Sequence, residues 1–336
     1  IYMFSKVIVQ GRLDFGNANT YEKAFKLYVQ RKDVYYKNEV VFNKTEECFD
    51  DEKMIFFVKR FNNLVSDKYW RNTVHLLKNL AEYSLTGRVE MWMMIDGKVI
   101  KHELIKPSSD KSIVAAFNKA NDMVNAADDL DKAMAILNGI VEKYPQHAMA
   151  HALIGRVASK QGNDKLALER FDRAISLDKY LSEAYLWKGK LYIKEENYEK
   201  ALPVLERLTK YAIAHQNIHW IGRRLKGKCY FHMGIYDKAV FEWKLFAAKA
   251  FEKGNSNHYW KRAVTFSLGK AHMQLNQNAE AILSFNDALN LDALFDNVSE
   301  EEILKFKTTA TGILPKTPAK KSKKVTKKPI TQKVNV

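Results

Sequence analysis

Residues 155–174 read GRVASKQGNDKLALERFDRA, and their spacing decides the fold of the second half of the chain. Gly155 and Ala167 stand twelve residues apart, with the polar turn Gln161-Gly162-Asn163-Asp164 between them. The same step recurs as Gly189 and Ala201, Gly227 and Ala239, and Gly269 and Ala281, and successive glycines are separated by 34, 38 and 42 residues. An internal period of this length, with a helical pattern on each side of a short turn, means a stack of helix hairpins. Glycine or alanine at a helix crossing lets the two axes come close enough for ridges to fill grooves, which a bulkier residue would prevent.

Working outward, Phe171 and Ala174 complete the first copy. Tyr230, Gly234, Tyr236 and Trp243 accompany the third, and Phe285 and Ala288 the fourth. Upstream, Ala133 lies 34 residues before Ala167, with Leu137, Ile140, Tyr144 and Pro145 in matching slots and Asn121 in place of the glycine. The second copy departs at Glu196 in the turn and at Leu205 and Leu208, where the others carry an aromatic residue and an alanine. In period and in small-large pattern these residues resemble the tetratricopeptide repeat over about 114–294. The resemblance implies an all-α, right-handed superhelical solenoid of about five hairpins, each burying its apolar face against the next.

Composition sets the frame. The 336 residues, 46% hydrophobic, suffice for two or three domains with a sizeable core. Cys48 and Cys229 are far apart, which leaves no disulfide framework or paired-cysteine zinc site and fits a reducing, cytoplasmic setting, or a nuclear one in a eukaryotic host. No apolar run approaches the ~20 residues of a membrane helix, and residues 1–10 lack the pattern of a signal peptide. Ten of the sixteen net positive charges fall in residues 303–336, which contain no acidic residue. That segment is poor in core-forming residues and rich in Lys, Pro and Thr, so 307–336 is expected to be a disordered basic tail.

Residues 1–112 have another rhythm. Val7 and Val9 within Ser5–Phe15 read as a strand ended by Gly16-Asn17. Thr20 reads as a helix cap ahead of Tyr21–Lys32, Val34–Phe42 as a second strand, and Met54–Phe61 as a third. Ser66 caps a helix to about Ser84, and Asp96-Gly97 between Val89–Ile95 and Val99–Ile105 is a two-residue hairpin turn. The order suits an α+β domain, with a ferredoxin-like sandwich as one candidate. Lys106-Pro107-Ser108-Ser109-Asp110 marks its end, so the expected organisation is 1–112 α+β, 113–306 solenoid and 307–336 tail.

Candidate chemistry follows the repeats. The residue after each glycine is Arg156, Lys190, Lys228 or Lys270, and four residues on stand Lys160, Lys194, His232 and Gln274. In the repeat family these slots face the concave groove, so the resemblance implies a basic ladder, bordered by Trp187, Arg224, Phe231 and Phe266. The expected partner is an acidic peptide segment of another protein, and the expected role that of a non-catalytic scaffold or adaptor without cofactor or metal. Members of the family that clamp a chaperone C-terminus use a lysine and asparagine set that is not reproduced here, since Ala152 and Arg156 hold those slots. The alternative is a nucleic-acid-associated protein whose tail lysines, Lys320, Lys321, Lys323, Lys324, Lys327 and Lys328, contact phosphates together with the groove.

Weaker signals read as structure. His215 and His219 lack a third metal ligand, and the acidic run Glu46, Glu47, Asp50, Asp51, Glu52 lacks the alternation and glycine of a calcium loop. Gly-Lys pairs inside helices are packing positions, not phosphate loops. Tyr35, Tyr36, Phe56, Phe57, Trp92 and Met93 read most simply as sheet core, and an RNA-stacking surface is the sharper alternative.

Overall fold

The computed structural model describes residues 4–108, 112–292 and 298–313. The first part is a five-stranded antiparallel sheet with two helices on one face: β1 (Phe4–Asp14), α1 (Ala18–Gln30), β2 (Phe49–Asp50), β3 (Ile55–Ser66), α2 (Asp67–Ala81), β4 (Thr86–Ile95) and β5 (Lys98–Ile105). The strand order is β2-β3-β1-β4-β5. Strands β2-β3-β1-β4 with α1 and α2 follow the β-α-β-β-α-β arrangement, and β5 adds an edge. Val7, Val9, Leu13, Phe56, Val89, Met91 and Met93 point to one side and form the core with Tyr28, Trp70, Leu77 and Leu80 from the helices.

The helix start differs from the sequence reading. Asn17, not Thr20, is the cap, its side chain accepting from the Thr20 backbone N–H. Ser66 caps α2 as expected, accepting from Tyr69 N–H. Val34–Phe42 is not a strand. The chain instead passes through a π-helical turn, Arg31–Tyr35, and a loop in which Lys37 and Asn38 take positive φ. Tyr28 Oη donates to the Phe42 carbonyl and Thr73 Oγ1 accepts from Val41 N–H, so side chains satisfy this backbone where a ladder was anticipated.

The helices follow as α3 (Ser112–Ala126), α4 (Leu130–Lys143), α5 (Ala148–Lys160), α6 (Asp164–Leu177), α7 (Ser182–Lys194), α8 (Tyr198–Tyr211), α9 (Asn217–His232), α10 (Tyr236–Ala248), the short α11 (Ser256–Tyr259), α12 (Lys261–Gln274), α13 (Asn278–Leu289) and α14 (Glu300–Ile313). Asp129, Asn163 and Asn197, spaced by the repeat period, cap α4, α6 and α8, each side chain accepting an N–H three residues on. The repeat glycines earn their place sterically. A Cβ on Gly155 would lie 2.6 Å from the Phe171 ring, one on Gly189 2.7 Å from Leu205, and one on Gly269 2.4 Å from Phe285.

The chain divides into two compact units, Ile1–Met233 and Gly234–Val336. In the second, Phe266, Phe285 and Phe306 pack ring on ring between α12, α13 and α14, with Ile303 and Ala310 fully buried beside them. Helix α14 therefore continues to Ile313, into the segment expected to be disordered, because Ala310 repeats the apolar face of Ile303 and Phe306. The tail lysines Lys320 to Lys328 lie outside the described residues.

Within the first unit the other face of the sheet lies across the connections of three successive hairpins. Strand β1 pairs with β4 so that Asp14 opposes Thr86, Arg12 opposes Arg88 and Gln10 opposes Glu90. Each cross-strand pair meets a different hairpin. Asp14 accepts from Tyr144 Oη at 2.5 Å, and Thr86 reaches His147. Arg12 donates to the Leu177 carbonyl at the end of α6, while Arg88 pairs with Glu183 in the first turn of α7 at 2.5 Å. Gln10 donates to the Tyr211 carbonyl at the end of α8, and Glu90 accepts from Gln216 just before α9. A bulge between Val9 and Gly11 in the β1–β3 register turns Arg60 toward the same Tyr211 carbonyl, at 3.0 Å. Helix ends leave carbonyls without intrahelical partners, and the sheet side chains take those of Leu177, Lys210 and Tyr211.

Candidate functional site

The first helices of the hairpins form the inner layer of the first unit: α3 touches α5, α5 touches α7, and α7 touches α9, whereas α4, α6 and α8 make no comparable contacts with one another. Arg156, Lys190 and Arg224 sit 34 residues apart on α5, α7 and α9. Their charges act on one another. Lys190 reaches solvent, yet partial burial and then the Arg224 and Arg156 charges lower its pKa from the ordinary lysine value. Burial lowers Arg224 to about 10 and lowers Arg156 as well. Arg156 is held by uncharged groups: Nη1 donates to Asn125 Oδ1 at 2.7 Å, and the guanidinium lies 5.2 Å from the centre of the Trp187 ring.

The other expected site residues take different places. Lys160 donates to the Val124 carbonyl near the end of α3, and Lys194 pairs with Asp164 at 3.1 Å, so both join neighbouring hairpins. Lys228 is exposed on α9 and Phe231 is half-buried. The third charge beside Lys190 is Arg224, not Lys228, because α9 runs for 16 residues against 13 in α5 and α7 and carries the glycine column off register. Phe266 corrects the expectation of an apolar anchor: it is 1% exposed and belongs to the core of the second unit. Lys270 rests on its ring, 4.7 Å from the centre, and burial lowers the Lys270 pKa while Glu302 opposes that shift.

A cavity of about 630 Å³ opens between the ends of β4 and β5 and helices α3, α5 and α7. Trp187, Phe117, Met149 and Leu153 line it from the helices, Leu85, Leu104 and Pro107 from the sheet side, and Arg156, Asn118, Asn121 and Asn125 stand among the polar groups. The sequence reading missed the α3 asparagines. Their signal is the spacing 118, 121, 125, which sets three carboxamides on one helical face.

The remaining candidates are structural. His219 accepts from Arg223 Nε at Nε2, which leaves Nδ1 to donate to the Ala212 carbonyl and removes it from any metal pair. No group of three or more His, Cys, Asp or Glu placed to hold a metal occurs among the described residues, and no described helix is long and apolar enough to cross a membrane. Phe57 stacks on Tyr180, and Trp92 packs with Ile8, Met94 and Ile213, so the aromatic residues of the second sheet face are engaged by the helical segment.

The tetratricopeptide-repeat profile matches residues 115–147, 182–212 and 265–293, stretches that fall on α3–α4, α7–α8 and α12–α13. The helical part of this chain is built of tetratricopeptide repeats. Among solved structures, YrrB, described as a TPR protein with an unusual peptide-binding site, is 18% identical, with 58% of this chain and 91% of that one covered and a TM-score of 0.46. MamA from Desulfovibrio magneticus RS-1 is 18% identical, with 53% and 93% covered and a TM-score of 0.43. No curated protein sequence matches the chain.

Proposed function

We propose that this protein is a non-catalytic interaction module whose repeat groove binds an acidic, extended segment of a partner protein. The observation that carries this reading is the placement of Arg156, Lys190 and Arg224 at one repeat spacing on touching inner helices, with Arg156 held, among the described residues, by a carboxamide and an aromatic face. Three like charges on adjacent helices repel one another, and an anion laid along them recovers that cost as charge-assisted hydrogen bonds. An extended peptide matches the geometry, because inner helices repeat along a line and the α3 carboxamides offer both donors and acceptors to a peptide backbone. Lys228 and Lys270 are secondary candidates for the same ligand class.

The test is fluorescence anisotropy with a labelled acidic peptide and, in parallel, a single-stranded oligonucleotide of equal charge. Peptide binding should survive deletion of residues 316–336 and weaken by about tenfold in Lys190→Glu. Binding of the oligonucleotide alone, lost with that deletion, would replace this reading with phosphate binding by the tail.

A further inference from the structure

Building on that reading, we infer that the cavity between the sheet and helices α3, α5 and α7 receives a large apolar side chain of the bound segment, so that the N-terminal sheet forms one wall of the binding site and sets its specificity. A volume near 630 Å³ falls in the range of ligand pockets, and its walls divide by chemistry. The floor is apolar and comes from both layers: Leu104 near the end of β5 and Pro107 just after it, Met149 from α5 and Trp187 from α7. Leu104 is 42% exposed, an apolar residue left open to water where the cavity begins.

Polar groups stand where a peptide backbone would cross. Asn118 and Asn121 are one helical turn apart on α3, and their carboxamides make no hydrogen bond among the described residues. Arg156 belongs both to the cavity lining and to the cationic row on α5, α7 and α9. A segment whose carboxylates pair with that row therefore brings a neighbouring residue over the cavity, where Trp187 and Leu104 flank it. Arg88, also in the lining, is already paired with Glu183 and adds no free charge there. The smaller void of about 60 Å³ between Arg12, Arg88 and Asp178 admits water only.

The probe is a displayed library of random dodecapeptides selected on the full chain. The expected enriched motif combines acidic residues with one large aliphatic or aromatic residue at a fixed distance from them. Leu104→Asp, an exposed edge-strand change checked by its melting curve, should bind the selected peptides about tenfold more weakly and select acidic peptides with no apolar position. Replacing the apolar residue of a selected peptide by benzoylphenylalanine should give photo-adducts on Leu104, Pro107 or Phe117, a readout that needs no variant. An acidic motif without an apolar position, or adducts confined to helices distant from the sheet, overturns the inference and leaves the acidic-segment reading standing. A selected motif lacking acidic residues overturns both.

Discussion

The two compact units contain the same kind of hairpin and finish its exposed ends in opposite ways. In the first unit the hairpin connections meet a β-sheet through hydrogen bonds and ion pairs from Gln10, Arg12, Asp14, Arg88 and Glu90. In the second, the last hairpin is covered by α14 through the rings of Phe266, Phe285 and Phe306. Repeat hairpins must cover the apolar surface their neighbours leave open. In the first unit a sheet does so with directional polar contacts set beside the packing of Trp92 on Ile213 and Phe57 on Tyr180, and in the second α14 does so with apolar area. Polar contacts fix register at little net gain in stability, whereas aromatic packing stabilises without specifying position as narrowly.

That contrast can be broken by substitution. The largest effect is expected from Gly11→Val. Gly11 has φ +145°, and an added Cβ would lie 2.1 Å from the Arg88 carbonyl oxygen, so β1 and β4 would have to separate. A loss above about 3 kcal/mol should appear in chemical denaturation, with hydrogen exchange rising through the sheet and α5–α9 while α12–α14 keep their protection. In the second unit Phe306→Ala should cost about 3 kcal/mol and show the reverse exchange pattern. Equal loss of protection in both units after either change would defeat the distinction between them.

Arg88→Met should cost about 2 kcal/mol, less than the steric change, because it leaves Glu183 facing the sheet without its partner while methionine keeps the volume. Arg88→Met/Glu183→Gln should recover part of that loss, and a double-mutant cycle measures it. By comparison Lys53→Ala, which breaks an exposed pair with Asp50, should change stability by less than about 0.5 kcal/mol.

The last effect is one of pH, and it accumulates as acid is added. Burial lowers the His147 pKa to about 3, and Ala150 N–H donates to its Nδ1, so the folded protein holds this imidazole neutral. The unfolded chain protonates it near pH 6.5, so the unfolded state binds more protons below that value. Stability should therefore fall as pH drops from about 6.5 toward 3, by at most about 1.4 kcal/mol per pH unit from this residue. His147→Asn keeps a capping acceptor and should flatten the slope in denaturant titrations at pH 4, 5 and 6. An unchanged slope would place the acid sensitivity elsewhere.

Much of this architecture is readable from local spacing. The glycine column follows because Gly155, Gly189 and Gly269 each take a side chain of the facing helix against a bare Cα, a demand that acts within some twenty residues of sequence. Asp96-Gly97 gives the β4–β5 turn for the same reason, with both residues at positive φ. Val34–Phe42 misled because its β-branched and aromatic residues fill the sheet core from a loop, with Val40 and Phe42 buried and Tyr35 left exposed. The polar contacts between sheet and hairpins were hidden for a different reason. Gln10, Arg12 and Asp14 alternate with apolar residues as a solvent-facing row would, and their partners lie 130 to 201 residues away. The cationic row was half legible: Arg156 and Lys190 follow the glycines, but the longer α9 puts Arg224 third, and Phe266 answers to the core.

Strand β1 meets three hairpins with three side chains two residues apart, at positions 14, 12 and 10, and β4 does the same at 86, 88 and 90. Repeat arrays gain and lose units readily when each unit contacts only its neighbours. Here a duplicated or deleted hairpin within α3–α8 would leave one set of strand residues facing the wrong connection, so the copy number of this stretch is written into the length of the strand, and growth of the array is free only beyond it.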